Sequence, residues 1–441
     1  MTDLFPGADR FGLILRGLRN SERFAVGRRL LSVVALGVLA DAADPGAWRR
    51  LRGILHSETL DEARDTLLGL ANAVEARMPA LARVFSQILV NDVIHSRSFA
   101  ETISGALAVL GEWGQVIDLK AFGAWFSAAL DDASNGGPSV GDIATSRSVS
   151  ELLVGLVDLQ PGQTLYDPCS GLAGLLALAS ERIDGLSLVG RDIHPISWAF
   201  GELRLQLLGA TATMELGDSL DQRPSQFDRI VCDPPSGQYA DRRGLLRTSP
   251  GSGGNRRYEA LFVDHCAASL KAGGRGVVLV NQGFLARRGL DEDIRRSLVG
   301  QGLVEGIIAL PSGFSPWTSA ELAILVLSDP PAARHDIRMI DVSRMPGWQK
   351  GRQRDVQEIM PLLLETYLRK EETAFATTVS SEFLFRSGQF RPGHHFVATI
   401  ERRSVPDLLG EADAFEARAN VEASRISDIL QQLNLRDDEA I

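Results

Sequence analysis

The chain has 441 residues, 44% hydrophobic and 23% charged, a profile that excludes a disordered or fibrous protein and predicts two or three domains. Its net charge of −10 excludes a surface coated in positive charge, although it leaves the sign of any one cleft open. No apolar run approaches the roughly 18 to 20 residues of a membrane span, residues 1–6 lack a basic and apolar leader, and Cys169, Cys232 and Cys266 have neither metal nor disulfide-framework spacing; the expectation is a cytoplasmic protein without a membrane partner.

From 11 to about 129, apolar positions recur at three- and four-residue spacing, as in 60–68, and no alternating run interrupts them. This predicts an N-terminal all-helical domain over 1–135. Its arginines Arg10, Arg16, Arg19, Arg23, Arg28 and Arg29 suit either phosphate contact or an exposed helix face. Gly136-Gly137-Pro138 then breaks the periodicity and marks a boundary. Over 140–330 strands are predicted at 164–166, 186–189, 213–216 and 229–232, with helices starting at Gly174 and Pro195 between them. A helix near 261–270, a strand at 276–280, a helix near 291–299 and strands at 304–309 and 322–327 follow. The alternation implies an α/β domain with a mostly parallel sheet between two layers of helices. The short loop joining the last two strands suits an antiparallel pair at the sheet's end. Residues 331–441 read as a C-terminal extension with a long polar helical tail over 411–439, a candidate for contacting a partner.

Four successive strands are predicted to end in an acid at one edge of this sheet: Asp167, Asp192, Asp218 and Asp233. Asp167 opens Asp167-Pro168-Cys169-Ser170-Gly171-Leu172-Ala173-Gly174, where Gly171 and Gly174 let backbone approach a ligand and free N–H groups at the helix start favour a carboxylate. Asp192 lies about 20 residues beyond Gly171, the interval at which a strand-end acid reaches ribose hydroxyls, and the Gly-x-Gly-x-x-Gly spacing of a nicotinamide site is absent. Helix capping is the plainer reading of Asp167 and Asp192. Asp233-Pro234-Pro235-Ser236 closes the fourth strand, and each proline removes an N–H, so carbonyls there are open to an amino group. Arg242, Arg243, Arg247, Arg256 and Arg257 follow with no acid among them, which suits DNA phosphates or a solvated loop. His394-His395 without a third ligand at metal spacing, and the cysteines flanking the strand ends, suit packing, so no metal site is expected.

Taken in order, Thr145-Ser146, Asp167–Gly174, Gly217-Asp218 and Asp233–Ser236, with Lys271-Ala272-Gly273-Gly274, Asn281, Gly283, Leu310-Pro311-Ser312-Gly313-Phe314 and Gln389-Phe390-Arg391-Pro392 beyond them, resemble the amino-group (adenine-N6) DNA methyltransferases, and specifically the modification subunit of type I restriction-modification systems. The similarity runs over roughly 142–396. It implies a Rossmann-like class I fold that uses S-adenosyl-L-methionine. Thr145, Asp167, Gly171 and Gly174 would hold the methionine part of the cofactor, Asp192 the ribose and Asp218 the adenine ring. Asp233 and the Pro234 carbonyl would hold the exocyclic amine of an adenine flipped out of double-stranded DNA. By the same resemblance a separate specificity subunit reads the DNA sequence; homo-oligomer formation is left open.

Ser146, Ala173 and Ser236 stand where the family has Pro, Gly and an aromatic residue. Tyr239, Phe314 and Trp317 are candidates for the missing ring. Two further readings therefore stay open: a non-catalytic homologue that keeps cofactor or DNA binding, and a methyltransferase of RNA or protein amides.

Overall fold

The computed structural model describes residues 8–18, 20–47, 59–111, 118–134, 145–221, 225–235, 257–315, 318–329, 336–348 and 354–396. Helices Ala8–Arg16, Asn20–Ala43, Leu60–Arg77, Val84–Ile88, Phe99–Leu110 and Leu119–Ser134 occupy the N-terminal third. The helix Asn20–Ala43 runs through their centre, because its apolar stretch from Leu30 to Ala40 buries nearly every side chain. Leu60–Arg77 starts on a capping box: Glu62 N donates to Thr59 Oγ1 at 3.4 Å and Thr59 N to Glu62 Oε2 at 2.8 Å, so two N–H groups at the helix start are satisfied reciprocally. Of the arginines singled out here, Arg10 and Arg16 are exposed, while Arg23, Arg28 and Arg29 are half-buried. Arg28 and Arg29 share Asp92 at 2.8 and 3.0 Å, and Arg23 pairs with Asp132 at 3.0 Å, which favours structural ties over phosphate contact for these three.

Strands β1 (Thr164–Asp167), β2 (Ser187–Asp192), β3 (Ala212–Leu216), β4 (Phe227–Cys232), β5 (Leu270–Asn281), β6 (Val304–Leu310), β7 (Leu322–Ser328), β8 (Asp336–Asp341) and β9 (Ala376–Ser380) form one sheet in the order β3-β2-β1-β4-β5-β7-β6-β8-β9. The first five are parallel, and β7 runs antiparallel between β5 and β6. Alternate residues face different cores, Val277 and Leu279 one and Val278 and Val280 the other, as the two-residue repeat of a strand requires. Helices Arg147–Leu156, Gly174–Arg182 and Arg354–Arg369 cover one face, Tyr258–Ala268 and Leu290–Gly300 the other. None of the described helices is long and apolar enough to cross a membrane.

The structure departs from the expected outline at two places. The β6/β7 pair is antiparallel but is not the end of the sheet, since β8 pairs with β6 and β9 with β8. Both added strands lie beyond the boundary drawn at 330, where the Pro330-Pro331 break conceals a sheet that resumes at Asp336. The other departure is at the helix near 261–270, which spans Tyr258–Ala268, while Leu270 already pairs with Phe227 as the start of β5. Met1–His395 forms one compact unit; in Phe396–Ile441 only Phe396 is described, so the polar tail over 411–439 lies outside the described residues.

Candidate active site at the sheet edge

β1 delivers Asp167, 1% exposed, to the carboxyl edge of the parallel strands. The chain then turns back on itself: Cys169 N donates to Asp167 Oδ1 at 3.1 Å, Ser170 N to the Arg191 carbonyl at 3.0 Å, and Ala173 N to the Ser170 carbonyl at 2.7 Å. Gly171 (φ 52°) and Ala173 (φ 56°) both take the left-handed conformation that glycine adopts freely and alanine does not. Asp192, at the end of β2, accepts Gly171 N at 2.9 Å and His194 N at 2.8 Å. It thus braces both the turn and the chain entering the next helix, and each oxygen keeps a lone pair for another donor. Gly217 N donates to the Asp192 carbonyl at 2.9 Å, Asp218 Oδ1 accepts Leu220 N at 2.9 Å, and Ser219 Oγ donates to the Pro168 carbonyl at 2.5 Å, so the third loop is tied to the first two.

β4 brings Asp233 into the same edge, where Thr145 Oγ1 donates to its Oδ2 at 2.7 Å. Thr145, expected on the cofactor, therefore contacts the carboxylate expected to hold the target. Burial pushes the Asp233 carboxyl up to about 6; the Thr145 hydrogen bond opposes this and the Glu259 charge adds to it. Burial likewise raises Asp167 to about 8, with the Asp233 and Asp192 charges contributing and the Cys169 N–H opposing, and raises Asp192 against its two backbone donors. Three carboxyls that resist ionising beside one another form a site that a cationic ligand would relieve.

Several neighbours were not visible in the sequence. Glu259, 1% exposed, accepts Asn281 N at 3.2 Å and Arg287 Nη2 at 2.8 Å; an acid in the first turn of a mostly apolar helix was its signal. Ile193 and Leu216, 68% and 40% exposed beside Asp192 and Asp218, offer apolar faces at the edge. Cys169 and Cys232 bring their sulfurs to 3.4 Å, and burial pushes the Cys169 thiol up to about 12, so both behave as small hydrophobic groups.

Of the remaining candidates, Pro234 is buried and Pro235 half-buried behind Asp233. Phe314 is 1% exposed and stacks on Trp348 at 5.9 Å, so its ring belongs to the core and is removed from the candidates for holding a base. Ser236, Tyr239, Trp317, Arg242, Arg243, Arg247 and Arg256 lie outside the described residues. Arg257, half-buried, forms the N-cap of helix Tyr258–Ala268. His394 and His395 both hydrogen-bond to Gln389 at 2.5 Å.

Strand order, the antiparallel β7 and the acids on the carboxyl edge define a class I S-adenosylmethionine-dependent methyltransferase fold. The N-6 DNA Methylase family matches residues 120–391, well over half the chain, and the chain belongs to that family. Among curated relatives, the type I restriction enzyme MjaIX methylase subunit of Methanocaldococcus jannaschii is 27% identical over 195 residues, 39% of this chain and 34% of the relative. The MpnII methylase subunit of Mycoplasma pneumoniae is 24% identical over 336 residues, 69% and 62% of the two chains. The chain thus spans about a third to three fifths of these relatives. In fold it is similar to the type I methyltransferase subunit from Streptococcus thermophilus (TM-score 0.64, 17% identity, 90% of this chain and 99% of that one) and to a modification subunit of a putative type I restriction enzyme from Vibrio vulnificus (TM-score 0.65, 17%, 91% and 97%).

Proposed function

We propose that this chain is the modification subunit of a DNA-methylating complex, transferring a methyl group from S-adenosyl-L-methionine to the exocyclic amine of an adenine flipped out of the duplex. The observation that carries this reading is the gathering of Asp167, Asp192 and Asp233 at one sheet edge with their carboxyls held above the ordinary range. That donor set fits a ligand bearing an ammonium and a sulfonium. Asp167, with the Gly171 and Gly174 backbone, would hold the methionine part, Asp192 the ribose hydroxyls, and Asp218 the adenine, whose ring Ile193 and Leu216 would flank. Bound S-adenosylmethionine would supply an electrophilic methyl group.

The exocyclic amine of adenine is a poor nucleophile because its lone pair is delocalised into the ring. Asp233 and the Pro234 carbonyl would accept its two hydrogens, turning the lone pair out of the base plane. Holding it in line would contribute up to roughly 7 to 11 kcal/mol in a well-aligned system. Thr145 occupies Oδ2 of Asp233, which leaves Oδ1 to accept from the amine and take the proton it sheds. Flipping the base costs a few kcal/mol, and Ser236 lacks a ring worth about 1 to 3 kcal/mol of stacking. Arg242, Arg243, Arg247, Arg256 and Arg257 would meet the phosphates, and a specificity subunit would read the sequence. A cytoplasmic setting follows from this reading.

Ser236 favours one second reading, a homologue that binds cofactor or DNA without transferring the methyl group. The deciding experiment mixes the purified protein, with and without the protein encoded beside it, with labelled S-adenosylmethionine and unmethylated DNA. Transfer that Asp233→Ala abolishes supports the enzyme; cofactor binding with no transfer under any combination selects the second reading.

A further inference from the structure

The turn proposed to hold the cofactor is also part of the helical core. Leu172, inside that turn, is 4% exposed and packs in one cluster with Phe122 and Phe126 of helix Leu119–Ser134. The contact between that helix and Pro195–Leu207 is backbone to backbone: a Cβ on Gly123 would lie 2.0 Å from the Leu207 carbonyl oxygen, so no larger residue fits. Across this joint sits Arg204, 2% exposed. Its Nε donates to Ser127 Oγ at 3.0 Å, its Nη2 and Nη1 grip the two oxygens of Asp131 at 2.9 and 2.8 Å, and Nη1 also reaches toward the Leu172 carbonyl at 3.5 Å. A Cβ on Gly174 would stand 3.7 Å from the same Nη1, so the guanidinium lies directly against the turn.

Packing alone does not call for an arginine here. A buried guanidinium carries five donors and no acceptor, and its burial is offset only where partners meet those donors. An apolar side chain of similar volume would fill the joint without that requirement. What the arginine adds is a rigid fork, fixed on one side by two residues of the helical segment and aimed on the other at a carbonyl next to Ala173. A left-handed alanine persists only where its surroundings over-determine it.

We propose that Arg204, anchored by Ser127 and Asp131, is a positioning residue that sets the geometry of the cofactor turn, so that the helical segment controls cofactor affinity. This rests on the assignment of the turn to S-adenosylmethionine. The test compares wild type with Asp131→Ala, Ser127→Ala and Arg204→Lys by amide hydrogen exchange and by calorimetric titration with S-adenosylmethionine. Asp131 is 42% exposed, but its truncation leaves the buried Arg204 without its ionic partner, so the melting temperature of each variant is measured alongside to separate a local from a global effect. Exchange is expected to quicken at 171–175 while β5 stays protected, and cofactor affinity to fall roughly tenfold, a typical size for coupling between sites. Arg204→Lys should keep the charge yet share the defect, since an ammonium cannot make the fork. Unchanged exchange at 171–175 in Asp131→Ala and Arg204→Lys, or a uniform rise over the whole sheet, overturns the proposal. Failure of wild type to bind S-adenosylmethionine would instead sink the assignment of the turn, while the exchange data still decide what Arg204 does.

Discussion

The two halves of the sheet edge are held in different ways. On the β1–β3 side, several ties share the work: Gly171 N and His194 N donate to the Asp192 carboxylate, Gly217 N to the Asp192 backbone carbonyl, and Ser219 Oγ to the Pro168 carbonyl. On the β4 side, the described hydrogen bond to the Asp233 carboxylate comes from one threonine hydroxyl 88 residues away in the chain. Several ties, each with backbone at one end, survive the loss of one side chain better than a single hydroxyl–carboxylate pair does. The half proposed to hold the cofactor should therefore behave as a pre-built cradle, and the half proposed to hold the target as a setting that side-chain changes retune.

The largest effect should come from Asp233. With its carboxylate gone in Asp233→Ala, methyl transfer should fall by at least about a hundredfold, the lower range for losing a positioned proton acceptor. Asp233→Asn keeps an acceptor and should retain much more. The pH profile separates the two halves. At limiting cofactor, kcat/KM reports the free enzyme, and the ionised carboxylates favour a cationic ligand, so it should climb in two steps as pH rises through about 6 and about 8. Asp233→Asn should erase the lower step and bring the upper one down, because the Asp233 charge helps to raise Asp167. A single unshifted step in both proteins would break the comparison.

Next in size is Asp167→Asn. An Asp whose folded-state value lies above its unfolded one of about 3.9 binds more protons when folded, so stability is greatest in acid and falls as pH rises toward about 8. In the unliganded protein the substitution should flatten that slope and raise the melting temperature at pH 7 to 8, while it weakens cofactor binding. Loss of stability together with loss of binding would mean that Asp167 serves the fold more than the ligand.

The strand-end acids of both halves were legible in the sequence. Asp167, Asp192, Asp218 and Asp233 each follow a run of strand-forming residues, and the strand order brings them to one edge. What stayed hidden depends on distance along the chain. Nothing near Thr145 signals Asp233, nothing near Leu172 signals Phe122, and Glu259 shows its effect only once β5 lies beside β4. Phe314 was a candidate ring, yet it is buried and stacked on Trp348, a contact 34 residues away that the sequence does not signal. β8 and β9 were missed because a proline pair normally ends a sheet and here only interrupts it.

Thr145→Val tests the single-hydroxyl setting. Losing a hydrogen bond to a charged group costs about 1.5 to 3 kcal/mol, discounted by partial exposure, so the lower step should move up by about one pH unit. Thr145→Ser should leave it in place. If instead cofactor affinity drops at every pH and the step stays at about 6, Thr145 belongs to the cofactor after all and the division of the edge must be redrawn.

The smallest effect should come from Ala173→Gly, because three terms oppose one another. Glycine relieves a left-handed alanine, a gain of about 1 to 2 kcal/mol. It loses a fully buried methyl, about 0.8 kcal/mol, and adds freedom to the unfolded chain, about 0.5 to 1 kcal/mol. These nearly cancel, so the melting temperature should stay within about 2 °C and cofactor affinity within about twofold. The buried methyl also stands 3.3 Å from where a Cβ on Gly201 would lie, so the helix behind the turn is shaped to receive an alanine. A stabilisation well beyond that range would show the cradle to be strained, and the contrast between its two halves would then lie in stored strain and not in how each is tied.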